Sequence, residues 1–323
     1  MPRLKRRVRR SALRPLVPLP GARLLKATLF PGAARPRRRK KPPAPRPRGR
    51  FVEVDGVRVH YIARGKGRSV VLLHGNGTMA EDFVVSGLVD QLASRYRVIA
   101  IDRPGFGRSE RPRTRLWTPS AQAHLVGRVL DRLRIERPVV VGHSWGALVA
   151  LALAVAGARE LRGLVLLAGY FYPTPRAETV ASAPLAIPGL GDAMRYTAPP
   201  IVGRLIAQQF IAHAFQPRPV PARFRARYPM ELASSPEHLR AIAEDAALLP
   251  SGAAELQGRY PSLRLPVAIM AGEADHVVAA NEQSRRLHHD IAGSRLEIVP
   301  KVGHMIHYAA RGRIGRAVDA LMR

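Results

Sequence analysis

The chain has 323 residues, 46% hydrophobic and 24% charged, the proportions of an ordinary folded protein and not of a disordered one. It contains no cysteine, which excludes disulfides, thiolate metal sites and cysteine nucleophiles and leaves the redox compartment open. The formal charge of +30 is unevenly placed: 18 Lys and Arg fall within residues 1–50 with no acid before Glu53, and the other 35 basic residues face 23 acidic ones for a balance of +12.

Residues 1–50 alternate basic runs (Lys5 to Arg10, Arg37 to Lys41) with spacers such as Pro42-Pro43-Ala44-Pro45. Like-charge repulsion and repeated proline predict a largely disordered tail. The stretch from Leu16 to Ala34 is interrupted by Pro18, Pro20, Arg23, Lys26 and Pro31, so it falls short of the roughly 20 apolar residues of a membrane span. The same interruptions leave no apolar run for a signal peptide, and the expected location is cytoplasmic, with the tail a candidate for contact with the membrane surface.

Order is predicted to begin at Phe51. Phe51 to Val54, Asp55-Gly56 and Val57 to Ile62 read as a hairpin, because Asp-Gly suits the positive φ angles of a type I′ turn. Val70 to Leu73, Val98 to Ile101, Val139 to Val141, Leu164 to Leu167 and Val267 to Met270 are short, continuously apolar runs, the mark of strands buried on both faces. Helical segments alternate with them, roughly Ala80 to Ser94, Ser120 to Leu133 and Trp145 to Ala156, so the class is α/β with a mostly parallel sheet flanked by helices. Between Tyr170 and Pro261 the strand rhythm stops, and helical pieces such as Ile201 to Ala214 and Pro236 to Leu248 stand between prolines. We read residues 170–261 as a helical cap inserted into a core formed by 51–169 and 262–323. A helix near Asn281 to His289, a strand from Leu296 to Val299 and a last helix through Leu321 complete the core.

The strongest chemical signal is Gly142-His143-Ser144-Trp145-Gly146, preceded by an expected strand and followed by an alanine-rich helix. A serine at such a tight strand-to-helix turn presents its Oγ, and the flanking glycines let two backbones approach. Its hydroxyl needs a base, and the base a carboxylate to orient it.

On this elbow the chain resembles the α/β-hydrolase family, in its serine-nucleophile, esterase- and lipase-like branch, from about Phe51 onward. The resemblance implies Ser144 as nucleophile. It implies an oxyanion hole from the backbone N–H groups of Asn76, in His74-Gly75-Asn76-Gly77, and of Trp145. His74 is read as a structural loop residue. Asp102-Arg103-Pro104-Gly105-Phe106-Gly107-Arg108-Ser109 is similar to the family's turn after the next strand, and Asp102 is expected to anchor it. The acid is expected after a late strand, in Ala271-Gly272-Glu273-Ala274-Asp275-His276, where the family pattern favours Asp275 over Glu273. Val302-Gly303-His304 matches the terminal histidine, so His304 is the expected base. His288 and His289 read as a solvated helix face, and His304 with His307 alone makes a poor metal site, so neither metal nor cofactor is expected. The chain departs from the family in Ala147 after Gly146, in Ala309-Ala310-Arg311-Gly312 after the histidine, and in its basic tail.

The implied reaction is hydrolysis of a carboxylic ester or related acyl bond through an acyl-enzyme, with C–C bond hydrolysis and cofactor-free haloperoxidase or perhydrolase chemistry as alternatives on the same residues. The serine speaks against the dehalogenase and epoxide-hydrolase branches, which use an aspartate nucleophile. Tyr170, Phe171, Tyr172, Ile206, Phe210, Ile211 and Phe215 are candidates either for an apolar acyl pocket or for the packing core of the insertion. The expected substrate is a small, apolar acyl compound. The rival class is a protein that binds nucleic acid or another polyanion on a hydrolase scaffold. Its support is the tail alone, where Phe30 is the single aromatic residue.

Overall fold

The structure, a computed structural model, describes residues 49–174, 184, 186–197 and 200–323. The basic tail therefore lies outside the described residues up to position 48. Strands β1 (Arg50–Val54) and β2 (Val57–Arg64) form the expected hairpin. Asp55 and Gly56 sit at φ 51° and 72°, the left-handed pair that a type I′ turn requires.

The apolar runs become β3 (Ser69–Leu73), β4 (Arg97–Ile101), β5 (Val139–His143), β6 (Gly163–Leu167), β7 (Val267–Gly272) and β8 (Arg295–Val299). The eight-stranded sheet has the order β1-β2-β4-β3-β5-β6-β7-β8, antiparallel through the β2–β4 pair and parallel from β4 to β8. Side chains of a strand alternate between faces, so an uninterrupted apolar run requires cover on both. On one face Val71, Ile99, Val140, Leu164 and Ile269 pack under α3 (Pro119–Arg132), α4 (Trp145–Ala156) and α10 (Arg286–Asp290). On the other, Val70, Leu72, Val98, Val141 and Val165 pack under α1 (Ala80–Ser86), α2 (Leu88–Ala93) and α12 (Arg311–Met322). Each fully buried Val, Leu or Ile contributes roughly 1.5–3 kcal/mol of transfer free energy.

Three boundaries differ from the sequence reading. The helix expected over 80–94 is two, broken at Gly87, whose φ of 85° ends α1 with its N–H on the Val84 carbonyl. The helix from Pro236 runs through Pro250 to Gln257, because Ala253 and Leu256 bury themselves in the core beyond the lost backbone bond. The segment near 281–289 opens as a π-helical turn, Asn281–Arg285, before α10.

Between β6 and β7 the described residues form α5 (Leu190–Thr197), α6 (Pro200–Phe215), α7 (Ala222–Arg227), α8 (Met230–Ala233) and α9 (Pro236–Gln257). Ser235 caps α9 by accepting the His238 N–H at 3.2 Å, with Pro236 in the first turn where no N–H is needed. Ile211, Phe215, Phe224 and Tyr228 of this segment cluster with Met79 and Met305, so it packs on the loops that follow β3 and β8.

Candidate active site

Strand β5 and helix α4 meet at Ser144, whose φ of 52° and ψ of −119° lie where a non-glycine residue stays only under constraint. The constraint is local. Ser144 N–H donates to the Leu167 carbonyl of β6 at 2.8 Å, and its own carbonyl accepts from Ala147 N–H at 2.9 Å. Helix α4 lies so near β3 that a Cβ on Gly146 would collide with the Leu73 carbonyl. Ser144 is partly exposed, while His143 and Trp145 beside it are buried. Trp145 opens a helix of 12 residues, so its N–H has no carbonyl one turn earlier to bind and stands at the positive end of the helix dipole.

The loop after β3 runs against this elbow, and a Cβ on Gly75 would stand 3.0 Å from Ser144 Cβ. The loop that carries Asn76 and the helix that Trp145 opens therefore meet at the serine. The Asn76 side chain is engaged elsewhere, donating through Nδ2 to the Ile242 carbonyl of α9 at 3.1 Å. His74 is structural: Nδ1 bonds the Gly75 carbonyl at 2.8 Å and Nε2 accepts the Arg103 N–H at 2.9 Å. That pattern requires a neutral ring protonated on Nδ1, and burial, then the Arg103 charge, hold its pKa well below the usual histidine value. Asp102 anchors its turn, accepting Ala80 N–H at 2.7 Å and Arg108 N–H at 3.0 Å and meeting His60 Nδ1 at 2.7 Å.

Asp275 and His304 come together from the loops after β7 and β8, with Oδ2 and Nδ1 2.9 Å apart and side chains 1% and 5% exposed. Asp275 Oδ1 accepts the N–H groups of Val277 at 2.8 Å and Val278 at 2.9 Å. A carboxylate so oriented accepts the His304 Nδ1 proton and leaves the lone pair on Nε2. Glu273 is exposed and takes the Lys301 N–H at 3.3 Å, away from the imidazole.

Other candidates sort by contact. His288 and His289 are exposed, whereas His307 is buried and bonds Asp82 at 2.8 Å from helix α11 (Ile306–Ala309). Tyr170, Phe171 and Tyr172 belong to the main core; the Tyr172 ring stands edge-on to Tyr260 at 5.6 Å. Ile211 and Phe215 are buried in the cluster between helices and loops. Phe210 is 44% exposed, and its ring edge would stand 3.4 Å from a Cβ on Gly77, in the loop after β3. The Ile206 side chain lies outside the described residues. The sequence reading passed over Arg103 and Asp245, which are buried and paired behind the His74 loop at 2.6 Å although 142 residues apart.

The α/β hydrolase fold family matches residues 68–310. Haloalkane dehalogenase 2 of Mycobacterium tuberculosis is 31% identical over 224 residues, 69% of this chain and 71% of that protein. The 2-hydroxy-6-oxo-2,4-heptadienoate hydrolase of Pseudomonas putida is 28% identical over 274 residues, 80% of this chain and 90% of its own. Among solved structures, an α/β hydrolase fold protein from Burkholderia ambifaria superposes with a TM-score of 0.72 at 23% identity, over 83% of this chain and 96% of that one. The match across most of the chain, with the eight-stranded sheet and its elbow, places this protein in the α/β-hydrolase fold family.

Proposed function

We propose that this hydrolase cleaves a carboxylic ester, or a closely related acyl bond, through a covalent intermediate on Ser144. The observations that support the reading are a serine at a positive-φ elbow against the loop that carries Asn76, and a buried Asp275–His304 pair whose His304 carbonyl meets the ring of the neighbouring His143 at 3.0 Å. In the proposed cycle His304 Nε2 takes the Ser144 proton as Oγ bonds the substrate carbonyl carbon. The oxyanion rests on the N–H groups of Asn76 and Trp145, whose fixed dipoles need no reorganisation as charge develops. Collapse breaks the bond to the leaving alkoxide, which receives the proton from His304. Water, deprotonated by the same imidazole, then releases the acid and restores Ser144.

A second reading has the same residues hydrolyse a C–C bond beside a ketone. The Pseudomonas putida relative, aligned over 80% of this chain, favours it. The dehalogenase relative is the less useful guide, since a serine stands where that branch uses aspartate. Labelling with a fluorophosphonate tests the shared premise: wild type should be modified and Ser144→Ala should not. Equal labelling of the two would end both readings. A panel of p-nitrophenyl esters beside 2-hydroxy-6-oxo-2,4-heptadienoate then decides between them.

A further inference from the structure

Arg103 and Asp245 are fully buried, and a buried ion pair is weak evidence for stability, because desolvation cancels much of the attraction. Burial lowers the pKa of Arg103, and Asp245 offsets part of that effect. What the pair holds is more informative than the pair itself. Arg103 Nε donates to the His74 carbonyl at 2.8 Å, Nη2 to the Gly75 carbonyl at 3.0 Å, and Nη1 to Gln122 at 2.8 Å and Asp245 at 2.6 Å. The guanidinium lies 4.4 Å over the Phe106 ring and 5.8 Å from that of Trp145. Asp245 also accepts from Gln122 at 3.1 Å and Arg111 at 3.0 Å, so both of its oxygens are engaged.

The Gly75 carbonyl is thus held by Arg103, by His74 Nδ1 at 2.8 Å and by Thr78 Oγ1 at 3.3 Å. It belongs to the same planar trans peptide as the Asn76 N–H, and the two point in opposite directions. Fixing the carbonyl fixes the N–H, and hydrogen bonds to the oxygen polarise the amide into a better donor. We propose that Arg103, clamped by Asp245 of α9, is the positioning residue that aims the Asn76 N–H, so that the helical segment between β6 and β7 sets the competence of the oxyanion loop. The inference rests on the reading of Asn76 as an oxyanion donor.

The test uses the full chain with Arg103→Lys, whose single ammonium cannot span both carbonyls and Asp245 as the planar fork does, and with Asp245→Asn. Glu244→Gln is the control: it loosens the 2.6 Å bond between α9 and Arg111 without touching Arg103. On p-nitrophenyl butyrate the first two should lose about 10- to 100-fold in kcat with KM within about threefold, and phenylboronic acid, whose tetrahedral adduct occupies the oxyanion site, should weaken in parallel. The amide 15N resonance of Asn76 should move upfield in both, as bonds to the Gly75 carbonyl are lost, and should stay in place in the control. If Arg103→Lys does not fold, Thr78→Val removes one of the same carbonyl's bonds and should move the resonance the same way. Unchanged kcat and resonance in Asp245→Asn, or equal losses in Glu244→Gln, would overturn the proposal. Failure of wild type to take a fluorophosphonate would instead overturn the reading of Ser144, and the Asn76 resonance would still decide the clamp.

Discussion

Asp275 holds His304 with one carboxylate oxygen at 2.9 Å and spends the other on the N–H groups of Val277 and Val278, so the carboxylate cannot rotate without losing two backbone bonds. Two consequences are measurable in the proposed reaction. His304→Ala and Asp275→Asn should lower ester turnover by roughly three to six powers of ten, with the larger loss at His304. Glu273→Gln, on an exposed side chain that bonds Lys301 N–H, should stay within about twofold of wild type. A greater loss at Glu273 than at Asp275 would reassign the acid.

Gly303 brings His304 to the site by letting its loop pass under the end of α6: a Cβ there would collide with the Gln216 carbonyl. The clash is with backbone, which cannot swing aside as a long side chain would. Gly303→Ala should therefore cost about 1–3 kcal/mol in a urea melt and reduce turnover out of proportion to any change in KM, because the displaced residue is the proposed base. Melting and kinetic behaviour like wild type would show that the loop has room to spare.

Local chemistry made much of this legible. The Asp55-Gly56 turn, the apolar strands and the Gly142 to Gly146 elbow each declare themselves within a few residues, and the last places Ser144 and Trp145 together. What stayed hidden depends on contacts across long separations. Asp245 reads as one more acid on an amphipathic helix until the fold brings it to Arg103, and Tyr172 becomes core and not pocket only when Tyr260 closes on it. Gly87 was equally silent, since a glycine inside a helical pattern is often tolerated.

Three buried histidines predict acid sensitivity. Burial lowers the pKa of His74 and His143 well below 6.5, helped at His74 by Arg103 and at His143 by His307 and His304, and burial brings His238 down to about 4. Each is neutral when folded, while the unfolded chain takes up protons as pH falls below 6.5, so stability is full above that value and is lost on acidification. For His238 the loss continues to about pH 4, at about 1.4 kcal/mol per pH unit. Urea midpoints should be flat from pH 7 to 8 and fall steadily from 6 to 4, and His238→Leu should make that limb shallower. A midpoint that holds steady down to pH 4 would mean these rings find compensation on protonation.

The last prediction tests the proposal that residues 1–50 are a tether for anionic surfaces and not part of the catalytic machinery. The 18 basic residues there stand without a single acid. Each contributes about 1 kcal/mol of attraction near an anionic bilayer, decaying over a Debye length of ~8 Å. In this proposal the apolar patches Leu13 to Leu19 and Leu24 to Phe30 would add shallow insertion if they fold at the interface, limited by their prolines. Among the described residues no helix is long and apolar enough to cross a membrane. A chain beginning at Arg50 should keep its turnover on a soluble ester and lose cosedimentation with phosphatidylglycerol vesicles, while salt weakens binding of the full chain. Nucleic acid would attract the same charge, and a preference for duplex DNA over vesicles at matched salt would redirect the tether to that partner. If the shortened chain still sediments with vesicles, the binding surface lies on the folded unit; if it loses ester turnover, the tail belongs to the catalytic machinery after all.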